Sequence, residues 1–585
     1  MRRIYFLGLL GGLMAQDVYY GKLLFQVAPP SRRLQAEVEW HYQGVQDTVQ
    51  LWYLRQGLNI TSMEGNPSIR RYERNLSTGE VRVVLGQVPV GGKGWLRVKY
   101  EGIPPRSGFG SFEVAQHSTG WCLWTLSQPY GAPDWLFCRD ALGDKIDSLD
   151  IAVITPDTLL GVSNGRLVAD SVSSTGWRWR HFRHRYPIAV YLIAIAASNY
   201  VVQEFPVQTP YHRFTLRNYV YPQDTATARQ LSQTFLPYFT WLEERIGPYP
   251  FAAEDYQQVQ IGWRGGMEHQ TITFFGTYSL ELWAHELGHQ WFGDWVTCSS
   301  WRDIWINEAF GTYLGGTVFE VLNLPIFSIW RRNILRAAWR DTLNTIWVED
   351  TSSVGRIFYY PTTYAKGALA LHMMREYVGE VAFWQGLRAF LSRHAGGFAS
   401  TQDFARAVAP YWGSVATQAF ILSWIYTPGY PKAQIHWQGS QTAEVAPAQA
   451  YPMRLPYRAI LVTGDTLWES TDLMNNRLLG FPQNVIRLQL DPDTLTPYWR
   501  IRQSTPIAAS LAFWPNPTTG PLLLLTEGIE EVRLYDLAGK EILRIENPHK
   551  PLLRWDLHTL PAGIYILETR ARENRTEAKL ILQTP

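Results

Sequence analysis

Two histidines four residues apart, with a glutamate between them, constrain this chain more than any other feature. They lie in the run Trp283-Ala284-His285-Glu286-Leu287-Gly288-His289-Gln290-Trp291-Phe292-Gly293-Asp294. On a helix, residues at that spacing project from one face, with about 5–6 Å between Cβ atoms. Two imidazoles so placed can grip one zinc ion while Glu286 points at the metal's open position. Ser279 is placed to cap the start of such a helix and Gly293 to stop it. A catalytic zinc takes a third protein ligand and leaves its fourth position to water. Eighteen residues lie between His289 and Glu308, which sits in an apolar pattern of Ile304, Ile306, Ala309, Phe310, Tyr313 and Leu314. That pattern predicts a second helix packed on the first, with Glu308 facing the metal. A lone histidine is more often a hydrogen-bonded core residue, but three ligand-type side chains with an acid among them fit that reading poorly.

This H-E-x-x-H run with its later glutamate resembles the gluzincin aminopeptidases, the group containing aminopeptidase N and the leukotriene hydrolases. Two further blocks carry the resemblance, which spans roughly residues 30–431. Gly265-Gly266-Met267-Glu268-His269 is similar to that family's Gly-x-Met-Glu-Asn motif, and Tyr360-Pro361-Thr362-Thr363-Tyr364-Ala365-Lys366-Gly367-Ala368 to its tyrosine-bearing segment. The resemblance implies a zinc aminopeptidase with His285, His289 and Glu308 as ligands to one Zn2+ ion. It implies Glu286 as general base, Tyr364 as a donor to the developing oxyanion, and Gly265, Gly266, Met267 and Glu268 against the substrate. Glu268 would hold the free N-terminal ammonium of a peptide. Ser127-Gln128-Pro129-Tyr130 resembles the segment through which the family's N-terminal domain reaches the site, making Gln128 a second amine-binding candidate; a surface turn is the plainer reading. His269 departs from the family's Asn, which leaves open how the motif strand is tethered. Asp294 stands where many relatives have Asn, as a partner of a metal ligand or simply a helix-end residue. An endopeptidase or epoxide hydrolase on the same scaffold, or a zinc-bearing scaffold protein without catalysis, remain as alternatives.

The 585 residues are enough for three or four domains. A hydrophobic content of 46% against 18% charged describes a globular chain, and a net charge of +2 gives no general argument for nucleic acid or an acidic membrane. The basic start Met1-Arg2-Arg3, the apolar run Ile4–Met14 and the small residue Ala15 form a secretory signal pattern over residues 1–15. That run is shorter than the ~20 residues of a membrane span, and no other stretch predicts a transmembrane segment. Of the three cysteines, Cys122 and Cys138 are the pair expected to bond if any do.

Residues 16–206 read as strand after strand, an N-terminal antiparallel β domain. Gln35–Tyr42, Glu80–Val83 and Trp95–Tyr100 alternate with period two. In Trp177–Arg185 the same alternation puts Trp177, Trp179 and His181 on one face and Arg178 and Arg180 on a solvated one, so no nucleic-acid surface is needed. Residues 207–431 read as a thermolysin-like, mainly helical zinc-peptidase domain. Helical patterns run through Ala226–Ile246, Tyr364–Tyr377, Val381–His394 and Thr401–Tyr411. Alternation returns in a small β domain over 432–503. Residues 504–585 comprise a linker and a module with Asn516-Pro517, Ala538-Gly539 and Pro561-Ala562-Gly563 turns, which resembles the C-terminal sorting domain of type IX secretion cargo. Its short strands predict a β-sandwich. The expectation is a multidomain α+β protein, exported to the cell surface or beyond through the periplasm by the type IX machinery.

Overall fold

The computed structural model describes residues 17–43, 49–86, 92–461, 463–490, 513–514, 518–519, 521–525, 529–546, 548, 552–571 and 574–583. The expected signal segment 1–15 and the linker around 504–510 lie outside the described residues. The chain divides into two compact units, 1–428 and 429–585.

The first unit begins with β structure. Its largest sheet has seven strands, ordered Arg166–Val172, Trp177–His184, Ser148–Pro156, Asp17–Val27, Leu34–Gln43, Gly94–Gly102 and Leu58–Asn66. Along Leu34–Gln43 every second side chain (Leu34, Ala36, Val38, Trp40, Tyr42) is buried, so one face of the pleat forms the core. The sheet is antiparallel except where Asp17–Val27 runs parallel to Ser148–Pro156. A four-stranded sheet (Leu160–Ser163, Ile195–Ser198, Gly120–Thr125, Phe112–His117) leads toward the second half of the unit.

Two expectations fail in this region. In Trp177–His184 the buried face carries Arg180, Phe182 and His184, while Trp177, Trp179 and His181 are only half-buried. Arg180 is 4% exposed, donates to the Gly161 carbonyl at 2.8 Å, pairs with Asp170 at 3.2 Å and lies over the Phe182 and Tyr219 rings. A guanidinium whose fork is satisfied can be buried, and period-two alternation alone cannot tell which face that will be. The cysteines do not pair either. All three are free and buried. Cys122 meets the Tyr200 hydroxyl at 3.3 Å, whereas Cys138 exchanges backbone hydrogen bonds with Tyr53.

The second half of the unit opens with a five-stranded mixed sheet, ordered Val201–Gln208, Arg213–Val220, Tyr256–Gln260, Ile272–Phe275 and Gly266–Met267. Its first strand straddles position 206/207. Helices follow in the order α1 (Thr225–Ile246), α2 (Leu280–His289), α3 (Trp305–Val321) and α4 (Phe327–Ala338), with α1 and α2 packed on this sheet and α3 packed on α2. Ser279 caps α2 as expected, accepting a hydrogen bond from the Leu282 N–H at 3.3 Å. The helix ends at His289, before Gly293, whose φ of 130° turns the chain in the following loop. The predicted helix from Tyr364 has a different start: Tyr360–Lys366 winds as a wide π-type turn before a regular helix over Gly367–Val378. Among the described residues no helix is long and apolar enough to cross a membrane.

Among its described residues the second unit is all β. Three-stranded sheets lie within 433–490, and a four-stranded antiparallel sheet orders Glu541–Glu546, Glu531–Asp536, Gly563–Ala571 and Asn574–Leu582. Leu522, Leu524, Val532, Leu534, Leu567 and Leu580 form its buried core in the C-terminal module.

Glycines set how closely the helices approach. A Cβ at Gly316 on α3 would lie 2.2 Å from the Trp330 ring on α4, and one at Gly367 would lie 2.4 Å from the Ala309 Cβ. Gly316→Ala therefore overpacks the α3–α4 contact. We expect a loss of about 1–3 kcal/mol, read as a lower urea midpoint for the helical part of the first unit.

Candidate active site

The ends of α2 and α3 bring three ligand atoms together. His289 Nε2 lies 3.0 Å from His285 Nε2, and Glu308 Oε2 lies 3.4 Å and 3.6 Å from those two nitrogens. Ligands around a tetrahedral zinc, at about 2.0–2.2 Å from the metal, stand at this kind of separation. His289 Nδ1 is 3.0 Å from the Phe292 carbonyl, which accepts only an N–H. Nδ1 therefore carries a proton, which leaves Nε2, on the side of the other two donors, as the atom that can bind a metal. Burial lowers the pKa of His289, but the surrounding carboxylates outweigh it and raise the pKa, so a metal would displace the Nε2 proton. Two neutral imidazoles and a carboxylate form a donor set suited to zinc. Gly311 of α3 makes room for the rings, since a Cβ there would fall 2.7 Å from His289 Nε2 and 3.1 Å from His285 Cε1.

Glu286 lies beside the triad, 3% exposed, with Oε2 buried and unpartnered. The edge strand Gly266–Met267 passes directly over it: a Cβ on Gly266 would lie 2.2 Å from Glu286 Oε1. The strand pairs antiparallel with Ile272–Phe275, Gly266 opposite Phe275 and Met267 opposite Phe274. The next residue, Glu268, is 2% exposed and accepts from Gln128 Nε2 at 3.1 Å. Gln128 is itself 5% exposed, so it is not a surface turn residue. Met267 and the two glycines complete the strand wall, with Gly266 and Met267 lining the cavity and Gly265 packed against Trp263. Tyr364 enters from the π-type turn, its ring stacked 6.2 Å from that of His285. All of these side chains surround one cavity of about 510 Å³.

The electrostatics follow from acids buried close together. Burial pushes the Glu268 carboxyl up to about 7, with Glu308 adding to the effect and His289 opposing it. Burial also drives Glu286 well above the ordinary range. Glu308 goes the other way: burial resists its ionisation, but His289 and His285 outweigh that and hold it near 2. Burial and the neighbouring carboxylates keep the Tyr364 phenol protonated.

The sequence left the roles of His269 and Asp294 open. His269 is fully buried, its ring edge-on to Phe274 at 4.4 Å, and burial lowers its pKa to about 3, so it packs as a neutral aromatic. The strand is tethered instead by Gln290, whose Nε2 donates to the Glu268 carbonyl at 3.3 Å while its Oε1 accepts from the Thr271 N–H at 2.9 Å. Asp294 makes no side-chain bond to a ligand; its buried carboxylate oxygens have no hydrogen-bond partner, and the Phe292 carbonyl does that work for His289. Gln290 sits next to a ligand in the motif and was readable only as part of the helix end.

Residues 248–424 match the peptidase family M1 domain, and residues 512–583 match the secretion system C-terminal sorting domain. It is 32% identical over 172 residues to a leucyl aminopeptidase of Saccharolobus solfataricus, covering 28% of this chain and 22% of that protein. With aminopeptidase N of Lactococcus lactis it shares 32% over 163 residues, 26% of this chain and 19% of the relative. The chain thus spans about a fifth of the length of the curated relatives it matches. An M1 zinc metallopeptidase of Deinococcus radiodurans has the same fold over 70% of this chain and 93% of its own, at a TM-score of 0.58 and 23% identity. A mutant of that enzyme bound to a Tyr-Ser-Ala substrate matches at a TM-score of 0.59 and 23% identity, over 70% of this chain and 94% of its own.

Gly311→Ala drives a methyl into the space of both imidazoles. We expect zinc content, measured by atomic absorption, to fall well below that of the original protein while the far-ultraviolet circular dichroism stays unchanged.

Proposed function

We propose that this protein is an exported zinc aminopeptidase that removes the first residue of peptides with a free N-terminus. One ion per chain is assigned to His285, His289 and Glu308. Zinc so held polarises a carbonyl and lowers the pKa of water to about 7. Glu286, which lines the cavity and whose Oε2 has no hydrogen-bond partner, takes the proton of the attacking water and returns it to the leaving amine. Tyr364, protonated and beside His285, donates to the oxygen on which charge develops, a contact whose loss typically costs ~10²–10³ in rate.

The observation that carries the exopeptidase reading is Glu268, buried within reach of Glu286 and His289 and held by Gln128. A substrate ammonium there meets Glu268 and the free carbonyl oxygen of Gln128, which fixes the first peptide bond at the triad. The cation also restores ionisation to a carboxyl that burial has raised. Gly266 and Met267 offer the backbone along which the substrate lies, and Gly265 lets the chain turn over Trp263.

Residues 512–583 support export by the type IX machinery, with 1–15 as the signal segment. We divide the rest into 16–206, 207–431, 432–503 and 504–585, the last comprising linker and sorting domain.

Glu286→Gln should keep its zinc and lose turnover of aminoacyl-nitroanilides by at least about 10²; activity like that of the original would remove Glu286 from its role. Glu268→Gln should lower kcat/KM for free peptides by about 10² or more. N-acetylated peptides should not be cleaved by the original protein. Equal cleavage of blocked and free peptides would instead make the chain an endopeptidase.

A further inference from the structure

One charged side chain in the cavity has no part in the chemistry above. Glu281 lies on the wall one helical turn before His285, so Glu281, His285 and His289 follow one another at intervals of four along the same face of α2. Its Oε1 accepts from the Trp330 indole N–H at 2.9 Å. Trp330 is 5% exposed and seated against Gly316, where no side chain fits beneath it, so the grip on Glu281 is a packed feature and not a surface accident. No lysine, arginine or histidine pairs with Glu281 among the described residues. Burial raises its carboxyl and the Trp330 bond lowers it; no cation enters the balance. The cavity's other charged side chain away from the metal triad, Glu286 and Glu268 is Arg264, exposed in the turn before the edge strand.

Position along the helix gives this acid a direction. Glu268 is grouped with Glu286 and His289, ligand atoms within 4.8 Å of one another, while Glu281 lies beyond His285 at the other end of the row. On the reading that Glu268 holds the ammonium and the triad acts on the first peptide bond, the chain past that bond leads away from Glu268 toward the start of α2. Thr277 and Ser279 flank Glu281 there.

We propose that Glu281 forms the subsite for the second residue of the substrate and selects lysine or arginine there. An extended cationic side chain brings the partner this carboxylate lacks, and the fixed Trp330 bond leaves the second oxygen for it. This inference rests on the aminopeptidase reading and concerns a residue outside the hydrolytic machinery.

The test uses the full-length zinc-loaded protein and the tripeptides Leu-Lys-Ala, Leu-Gln-Ala and Leu-Glu-Ala, which differ only at the second position. We expect kcat/KM for Leu-Lys-Ala to exceed that for Leu-Gln-Ala by about five- to tenfold, and Leu-Glu-Ala to be poorest. Glu281→Gln should bring the Lys/Gln ratio close to one, and Glu281→Lys should invert the order in favour of Leu-Glu-Ala. A structural role alone would lower all three rates together and leave the ratio alone. Should the variants not fold, salt decides: the Lys/Gln ratio of the original protein should shrink as ionic strength rises. A ratio near one in the original protein, or one that persists in Glu281→Gln, overturns the inference while leaving the aminopeptidase reading intact. Failure to cleave any of the three defeats that reading and this one with it.

Discussion

The packing of α2 on α3 is the contact on which the rest of the site depends. Three donor atoms from two helices stand 3.0–3.6 Å apart, and each depends on a place where the backbone carries no side chain. A Cβ on Gly288 would lie 2.9 Å from Leu314, and one on Gly315 would lie 3.0 Å from the Glu281 carbonyl. Gly311 opens the space the imidazoles occupy, and Gly367 lets the helix after Tyr364 close on Ala309. Protein interiors are as dense as organic crystals, so displacements of a few tenths of an ångström here cannot be absorbed locally. α1 adds a brace from outside: the Tyr238 hydroxyl donates to the Leu314 carbonyl at 2.6 Å.

This packing also concentrates negative charge where water is scarce. Glu268, Glu286, Glu308 and Asp294 are all buried near His289. Acids that close cannot all ionise in a low-dielectric site, which is why burial raises Glu268, Glu286 and Asp294. Only Glu308, directly against both imidazoles, is held low. A dication on the triad and an ammonium at Glu268 are the two positive charges that would balance the group. On the aminopeptidase reading, binding of metal and of substrate amine would be coupled through this one field.

What the sequence made legible was local. Helical spacing alone relates His285, Glu286 and His289, and the apolar pattern around Glu308 announces a helix that must bury one side. Ser279 could be read as a cap for the same reason. Features decided across the fold were not legible. Whether Arg180 or Trp179 faces inward depends on Asp170 and Gly161, which belong to neighbouring strands. The cysteine pairing failed because Cys122 and Cys138 reach different partners once the sheets close. The Gln290 tether, the Phe292 carbonyl behind His289 and the Trp330 grip on Glu281 join positions that no periodicity connects. Asp294 is instructive in another way: its place beside the motif left two roles open, and only the fold shows its carboxylate buried without a hydrogen bond to a ligand.

The β-rich first half of the unit is part of the site as well as a neighbour of it. Gln128 holds Glu268, and Phe109 and Leu126 line the same cavity as the triad. Phe109 also packs edge-on to Phe358 at 5.3 Å, close to the segment that carries Tyr364. Behind the metal, Lys145 reaches from the β half to donate to the Asp294 carbonyl at 2.6 Å and to the Trp295 carbonyl at 3.3 Å, in the loop that ends α2. Burial there lowers its ammonium to about 7. A charge accepted at such a cost of desolvation, with two backbone carbonyls as its partners, fixes that loop and with it the Phe292 carbonyl that orients His289. On the aminopeptidase reading the helical half supplies ligands and base, while the β half closes the end where the amine would sit and holds the loop behind the triad. Gln128 beside Glu268 is thus the β half's part of the wall that, on the aminopeptidase reading, distinguishes the end of a peptide from its middle.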